Sequence, residues 1–425
     1  MKINIINNTQ TSDKKVKYVI DFLFNRFSKS DIDITIVYGD IEYLNRRKNL
    51  IHISENKPGS YSNFLSNIDI KKEVRASESI DIQFDLVDLT FSMLNELPNL
   101  VSSHTDAHGR NLPLDSVNYK YPVLDQIVEE IRLQLSTLNK LEIQYNKTSG
   151  TCSVSHDIDN IYAFDKPINI LRALKRILSK GSMLFRLKSS LILFKDFILK
   201  RDPYYNFEFI INETRSNNMR STFYFMVGGI TRYDGRYNLA DHIDLITRLR
   251  EKKQIIGLHP SYDAGFDSSI LSKEIKNFKK LTHIKCEHVR YHYLRYDSTS
   301  IAEDLDKYEI VTDTSCGFAS VIGFRNGTCY PFRKWIEDKE CQSKTLYYPL
   351  AFMDTTALGY LSLNKNKLIE ELKFIICQVS KYKGHFDLLW HNSNMYFYNN
   401  INEKELFKEA MKIMTSSLIP KEPIH

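Results

Sequence analysis

Four short stretches of this chain place residues that can bind a cation or move a proton where a β-strand should end. "SVSHDID" carries His156, Asp157 and Asp159; "IIGLHPSYD" runs through His259 to Asp263; "HVRYHYLRY" carries Arg290, His292 and Arg295; "LLWH" ends in His391. Alternate side chains of a strand share a face, so Asp157 and Asp159 should point one way and His156 the other. By the same rule Arg290 and His292 share a face. A neutral imidazole and a carboxylate are good ligands for zinc or a similar divalent ion, with positions left open for a substrate and a water. Each residue also has a structural reading: a strand-end aspartate forms a turn or caps a helix, His259 before a proline closes a strand, and His391 beside Trp390 is a hydrogen-bonded core histidine. Four such ends in consecutive units favour a single site.

The elements that must position these residues follow from hydrophobic period. Strand-like segments "TCSVSHDI", "STFYFMV", "QIIGLH", "EHVRYHYL", "YEIVTDTS", "TLYYPLAF" and "FDLLWH" are interleaved with amphipathic ones such as "LADHIDLITRLREKK", "SSILSKEIKNFKKL" and "NKLIEELKFIICQVSKY". Strands alternating with helices imply parallel pairing with crossovers, hence an α/β barrel or a doubly wound sheet. Function in such folds collects at the carboxyl ends of the strands. Ahead of these units lie the strand-like "INII" and "DITIVYGD" and the helix-like "VKYVIDFLFNRF" and "YPVLDQIVEEIRLQLSTLNKL", and the polar "QYNKTSG" reads as a boundary. The expected division is a smaller α/β N-terminal domain over 1–147 and a β/α barrel over 148–425.

Composition narrows the class. The 425 residues are 42% hydrophobic and 26% charged, with 25 Tyr and 24 Phe, as expected for an ordered globular protein. A net charge of +6 is too modest for this length to mark a nucleic-acid binder. The six cysteines show no CxxC spacing, which removes a zinc knuckle and favours free thiols in a reducing compartment. The N-terminus does not read as a signal peptide, and no stretch approaches the roughly 18 apolar residues needed to span a bilayer, so the expected location is the cytoplasm. One segment departs from the average: residues 166–201 hold ten Lys or Arg and a single acid, Asp196, interleaved with Leu, Ile and Phe. This is either a pair of helices packed by their apolar faces or a basic amphipathic surface that touches an anionic membrane or a lipid-linked phosphate.

The order "SHDID", "STFYF", "IGLHPSYD", "VRYHYLRYD", "DTSCGF…GFRNG…YPF" and "LLWH" resembles the polysaccharide deacetylase family, carbohydrate esterase family 4, in its allantoinase-like form with an Asp-x-Asp first motif. More closely it resembles members from bacterial surface-polysaccharide gene clusters, whose extra N-terminal domain is similar to "FDLVDLTFSMLNEL" and "DAHGRNLPLDS" here. The resemblance implies a deformed (β/α)7 barrel that removes acetyl from an N-acetylated sugar, nucleotide- or lipid-linked, with a divalent metal, zinc being the first candidate. In that scheme Asp157 is the general base, Asp159 and His259 are metal ligands, Arg290 orients the base and His391 is the general acid. Asp263 stands where the family has a second histidine and is expected to ligate in its place. His156 is expected behind the strand, fixing Asp157 or Asp159, and His292, Arg295 and Arg325 are expected to bind substrate or support the site. The family's Trp-containing motif has no counterpart, and Asp313 and Arg325 stand in its region. Two competing functions are a barrel that binds glycan or a partner without chemistry, and an allantoinase-like opener of cyclic amides.

Overall fold

The computed structural model describes residues 2–28, 33–40, 49–98, 100, 104–115, 117–164, 167–179, 182–199, 201–235, 237–395 and 403–420. The N-terminal strands β1 (Lys2–Asn7), β2 (Asp33–Tyr38), β3 (Leu50–Ile53), β4 (Val74–Ala76) and β5 (Ile80–Ile82) form one sheet in the order β1-β2-β3-β5-β4. It is parallel except for β4, which pairs antiparallel with β5. Helices α1 (Asp13–Phe24), α2 (Tyr61–Asn67), α3 (Ile70–Glu73), α4 (Leu86–Asn95) and α5 (Val123–Asn139) accompany it.

The second sheet is parallel throughout. It contains β6 (Thr151–Ile158), β7 (Ser221–Phe225), β8 (Ile255–Leu258), β9 (His288–Val289) and β10 (Thr312–Cys316) and, beyond a small antiparallel hairpin of β11 (Trp335–Ile336) and β12 (Cys341–Gln342), β13 (Leu346–Pro349), β14 (Phe352–Met353) and β15 (His385–Leu389). Strand β16 (Ile419–Pro420) adds to β6. The order is β13-β10-β9-β8-β7-β6-β15-β14. The two edges, β13 and β14, are separated in the chain only by Leu350 and Ala351, so one bent strand pairs with β10 at its start and with β15 at its end. Counted as a single strand, it closes a ring of seven. The structure is thus a mixed α/β fold with a deformed seven-stranded barrel, as the sequence predicts. Its strands are buried on both faces, which explains near-continuous apolar runs such as "STFYF".

Helices α6 (Pro167–Leu178), α7 (Met183–Ile198) and α8 (Phe207–Ser216) follow β6; α9 (Ile243–Glu251), α10 (Ser268–Thr282) and α11 (Ile301–Lys307) follow β7, β8 and β9; α12 (Lys365–Tyr382) precedes β15 and α13 (Glu403–Ser417) follows it. Between β10 and β13 no described α-helix intervenes. There α5 docks: the Leu124 amide donates to the Gly327 carbonyl at 2.9 Å, and the buried Asp125 carboxylate accepts from Arg26, Thr328 and the Cys329 amide. One continuous cluster of buried apolar side chains runs from Val16 to Leu418.

One glycine is dictated by packing inside the barrel. A Cβ on Gly257 would lie 2.5 Å from the Tyr224 ring and 2.9 Å from the His288 carbonyl oxygen. Tyr224 needs that space because its ring lies 4.8 Å from the Arg290 guanidinium at the base of the site.

Candidate active site and metal centre

Strand β6 delivers Asp157 at its last turn and Asp159 just beyond, and the period of two turns both carboxylates toward the barrel mouth. Next to them His259 follows directly on β8, and the chain after β9 brings in His292. Asp159 Oδ1 lies 3.4 Å from His259 Nε2 and 3.4 Å from His292 Nδ1, and those two nitrogens are 3.0 Å apart. The outer nitrogens fix the tautomers. His259 Nδ1 donates to the Arg290 carbonyl at 2.5 Å and His292 Nε2 donates to the Tyr233 carbonyl at 2.9 Å. A carbonyl only accepts, so both neutral rings turn a lone pair into the triangle and cannot hydrogen-bond to each other. Asp159 Oδ1, buried between them, makes no hydrogen bond of good geometry.

Three acceptors around one point suit a cation. With metal–ligand bonds of about 2.0–2.1 Å, tetrahedral ligands sit about 3.3 Å apart, close to the separations found here. Backbone carbonyls behind both imidazoles are the usual orienting partners of metal-bound histidines. Burial works against the charge of Asp159, but His292, His259 and His391 more than offset it and hold the carboxyl well below its usual range. Burial lowers the basicity of His292, whereas at His259 Asp157 and Asp159 overcome burial and raise it.

Asp157 is gripped from below. Arg290, fully buried, donates to Asp157 Oδ1 at 3.2 Å, to Ser155 Oγ at 2.7 Å, to Asp387 Oδ2 at 2.6 Å and to the Thr314 carbonyl at 3.2 Å. Asp387 also accepts from Ser153 and Ser155, each at 2.5 Å. Burial raises its carboxyl pKa, but Arg290 and the two serines bring it below the ordinary value. Asp157 Oδ2 faces His259 Nε2 and His391 Nε2, 3.9 Å from each.

His391 stands across the triangle, its Nε2 3.9 Å from Asp159 Oδ2. Its Nδ1 donates to Asp354 Oδ1 at 2.7 Å, and Asp354 Oδ2 accepts from the His391 amide at 2.8 Å and from Asn394 at 3.0 Å. Burial disfavours the imidazolium, yet Asp354, then Asp159 and Asp157, outweigh it and push the His391 pKa up to about 10. The ring therefore carries a proton on Nε2 at neutral pH.

The remaining predicted residues fall in different places. His156 lies behind β6, its Nδ1 donating to the Trp390 carbonyl at 2.6 Å with Ser221 Oγ 3.2 Å from Nε2. Burial lowers its pKa to about 4, so it is a neutral tie to the strand that carries His391 rather than a partner of Asp157 or Asp159. The structure puts His292, not Asp263, in the triangle: the turn after Pro260 leaves the Asp263 side chain half exposed, 3.7 Å from Arg295. Arg295 donates to the carbonyls of His108 and Tyr262 at 2.7 and 2.5 Å. Arg325 pairs with Glu96 at 2.8 Å in a buried cluster with Lys334 and donates to the Gly317 carbonyl at 3.2 Å. Asp313 braces the strand of Arg290 through Ser315, which accepts from the Tyr291 amide.

Several participants were not read from the sequence. Asp354 lies one residue past β14, and the strand-end rule that singled out Asp157 would have found it had the strand been read two residues longer. Asp387 was visible as the one acid in "FDLLWH". The segment around His108 folds onto the mouth, where His108 Nδ1 meets the Tyr262 hydroxyl at 3.0 Å and its ring lies 4.7 Å from that of Tyr293. Tyr233 stacks on Tyr262 at 4.4 Å, so an aromatic wall stands beside His292.

No family model and no curated protein matches this sequence. Solved structures with related folds include one described as a polysaccharide deacetylase from Mycobacterium smegmatis, at 13% identity over 65% of this chain and 94% of that one with a TM-score of 0.37. A family 4 carbohydrate esterase from Streptomyces lividans in complex with acetate aligns at 9% identity over 64% and 92% of the two chains, TM-score 0.32. A 4-alpha-glucanotransferase from Thermococcus litoralis aligns at 12% identity over 64% and 38%, TM-score 0.36. Likeness at this level carries no argument about chemistry, and the functional reading rests on the site itself. Among the described residues, no helix is long and apolar enough to cross a membrane.

Proposed function

We propose that this protein is a metal-dependent N-deacetylase that hydrolyses the acetamido group of an N-acetylated sugar, in the assembly of a bacterial surface polysaccharide as the motif order implies. The observation that carries the reading is the convergence of a cation-sized triangle, a braced carboxylate and an imidazolium on one mouth. Asp159, His259 and His292 would hold a divalent ion, zinc by donor type, which when bound polarises the acetyl carbonyl and acidifies water.

The chain's own residues supply the proton transfers. Arg290 fixes Asp157 Oδ1 and leaves Oδ2 facing the mouth, where it takes a proton from the attacking water. The water oxygen bonds to the acetyl carbon and the carbon–nitrogen bond breaks. His391 Nε2–H then protonates the leaving amine, while Asp354 holds the ring and stabilises its charge. The products are acetate and a free amino sugar. The aromatic wall of Tyr233, Tyr262 and Tyr293 supplies the flat apolar surface on which a pyranose ring can rest.

Acetate release from N-acetylated oligosaccharides, measured before and after chelation and on adding zinc back, tests the reading. A panel including cyclic amides separates it from ring opening, and absence of turnover with metal bound would leave a glycan-binding barrel.

A further inference from the structure

The loop after Asp159 leads into an additional hairpin, α6 and α7, inserted ahead of α8, and the two helices pack against each other. The outward face of α7 is apolar. Leu184, Leu187, Leu191, Phe194 and Ile198 recur every three or four residues, forming one stripe, and each is between 60% and 63% exposed. The opposite side, with Ser189 and Leu193, is buried. A helix of a globular protein normally does the reverse. Exposed Lys188 and Lys195 flank the stripe, and α6 extends it with Leu171 and Leu178 around Lys175. Contiguous apolar surface of this kind marks a docking face rather than a scatter of exposed leucines.

The base of the hairpin is tied to the site. Asp202, just past α7, accepts from the Ala163 and Phe164 amides at 2.8–2.9 Å. Asn392, next to His391, donates to the carbonyls of Asn160 and Tyr204 at 2.8 and 3.0 Å. Both strand ends that bear proton-transfer groups are thus stitched to the hairpin's two roots.

We propose that the outer face of α6 and α7 docks this protein on an anionic lipid surface, so that the mouth of the site meets a glycan held at that surface. The glycan rests on the deacetylase reading; the docking does not. Charge selects the occupant: over 166–201 ten basic residues face one acid, so a second copy of the chain would bring like charge against like. Lipid headgroups bring the opposite sign, and their acyl boundary accepts the stripe while the lysines reach outward.

The experiment sediments the full-length protein with phosphatidylcholine vesicles, with and without added phosphatidylglycerol. The expected result is partitioning onto the anionic vesicles that weakens with salt. The pair Leu187→Glu and Phe194→Glu should abolish it, and the pair Lys188→Glu and Lys195→Glu should weaken it by about tenfold or more. Thermal unfolding and activity on a soluble N-acetylated glycan should match the parent in both variants. No partitioning, equal partitioning onto neutral vesicles, or a salt-resistant dimer that Leu187→Glu dissociates would overturn the proposal. Anionic binding that persists in a protein without deacetylase activity would support the docking and defeat the catalytic reading.

Discussion

His259 Nε2 and His292 Nδ1 lie 3.0 Å apart with a lone pair on each, because the Arg290 and Tyr233 carbonyls hold the protons of both rings on their far sides. Between neutral rings such a contact is repulsive, and either a proton on His259, whose basicity Asp157 and Asp159 raise, or a metal ion relieves it. The metal-stripped protein should therefore take up one zinc per chain in calorimetry. His259→Ala or His292→Ala should weaken uptake more than about a hundredfold, since even orienting partners cost 10–100-fold. Asp263→Ala should bind as the parent does.

Asp354 acts through His391. Asp354→Asn should lower kcat by about a hundredfold or more on an N-acetyl sugar, with KM little changed, because the imidazolium loses its counter-charge. On nitrophenyl acetate, whose phenolate leaves without needing a proton, the deficit should shrink. A purely structural Asp354 would give equal losses on both substrates.

Arg290 separates two buried carboxylates, Asp157 and Asp387. Arg290→Met leaves both unpaired, and urea unfolding should show a loss of about 3–5 kcal/mol. Arg290→Lys should not restore it, because a single ammonium cannot span Asp157, Asp387, Ser155 and the Thr314 carbonyl together.

Glu96 gives the fold an acid limit. Burial disfavours its charge, but Arg325 and Lys334 outweigh burial and lower its pKa to about 2. A depressed folded value contributes stability above the unfolded value of 4.5, and that contribution is lost as pH falls from there toward 2. Unfolding free energy measured across this window should drop less steeply in Glu96→Gln, which should also be less stable than the parent at pH 7 because Arg325 and Lys334 are left buried without their counter-ion.

What could be read from the chain alone was whatever strand period controls. Asp157, Asp159, His259 and His391 all lie at or just past carboxyl ends of strands, and period and position were enough to pick them out. Arg290 was found by the same rule. The segment "HVRYHYL" reads as one long strand, which gives His292 a supporting role, whereas β9 stops at Val289 and the His292 amide donates to the Pro260 carbonyl at 3.0 Å, seating the ring beside His259. The partner of Arg325, Glu96, lies 229 residues earlier, and no local pattern records such a contact. The roles of Asp354 and Asp387 likewise depend on which strands close the barrel, information carried by pairing rather than by period.

The most direct test is acetate release by zinc-loaded parent and Asp157→Asn, with metal content measured in the same samples. The substitution keeps shape and the Arg290 contact but removes the proton acceptor. The expected result is one zinc in both proteins, acetate release by the parent, and a rate in the variant lower by about a hundredfold or more. Equal release by both proteins, or none from a zinc-loaded parent across N-acetylated glycans, would contradict it.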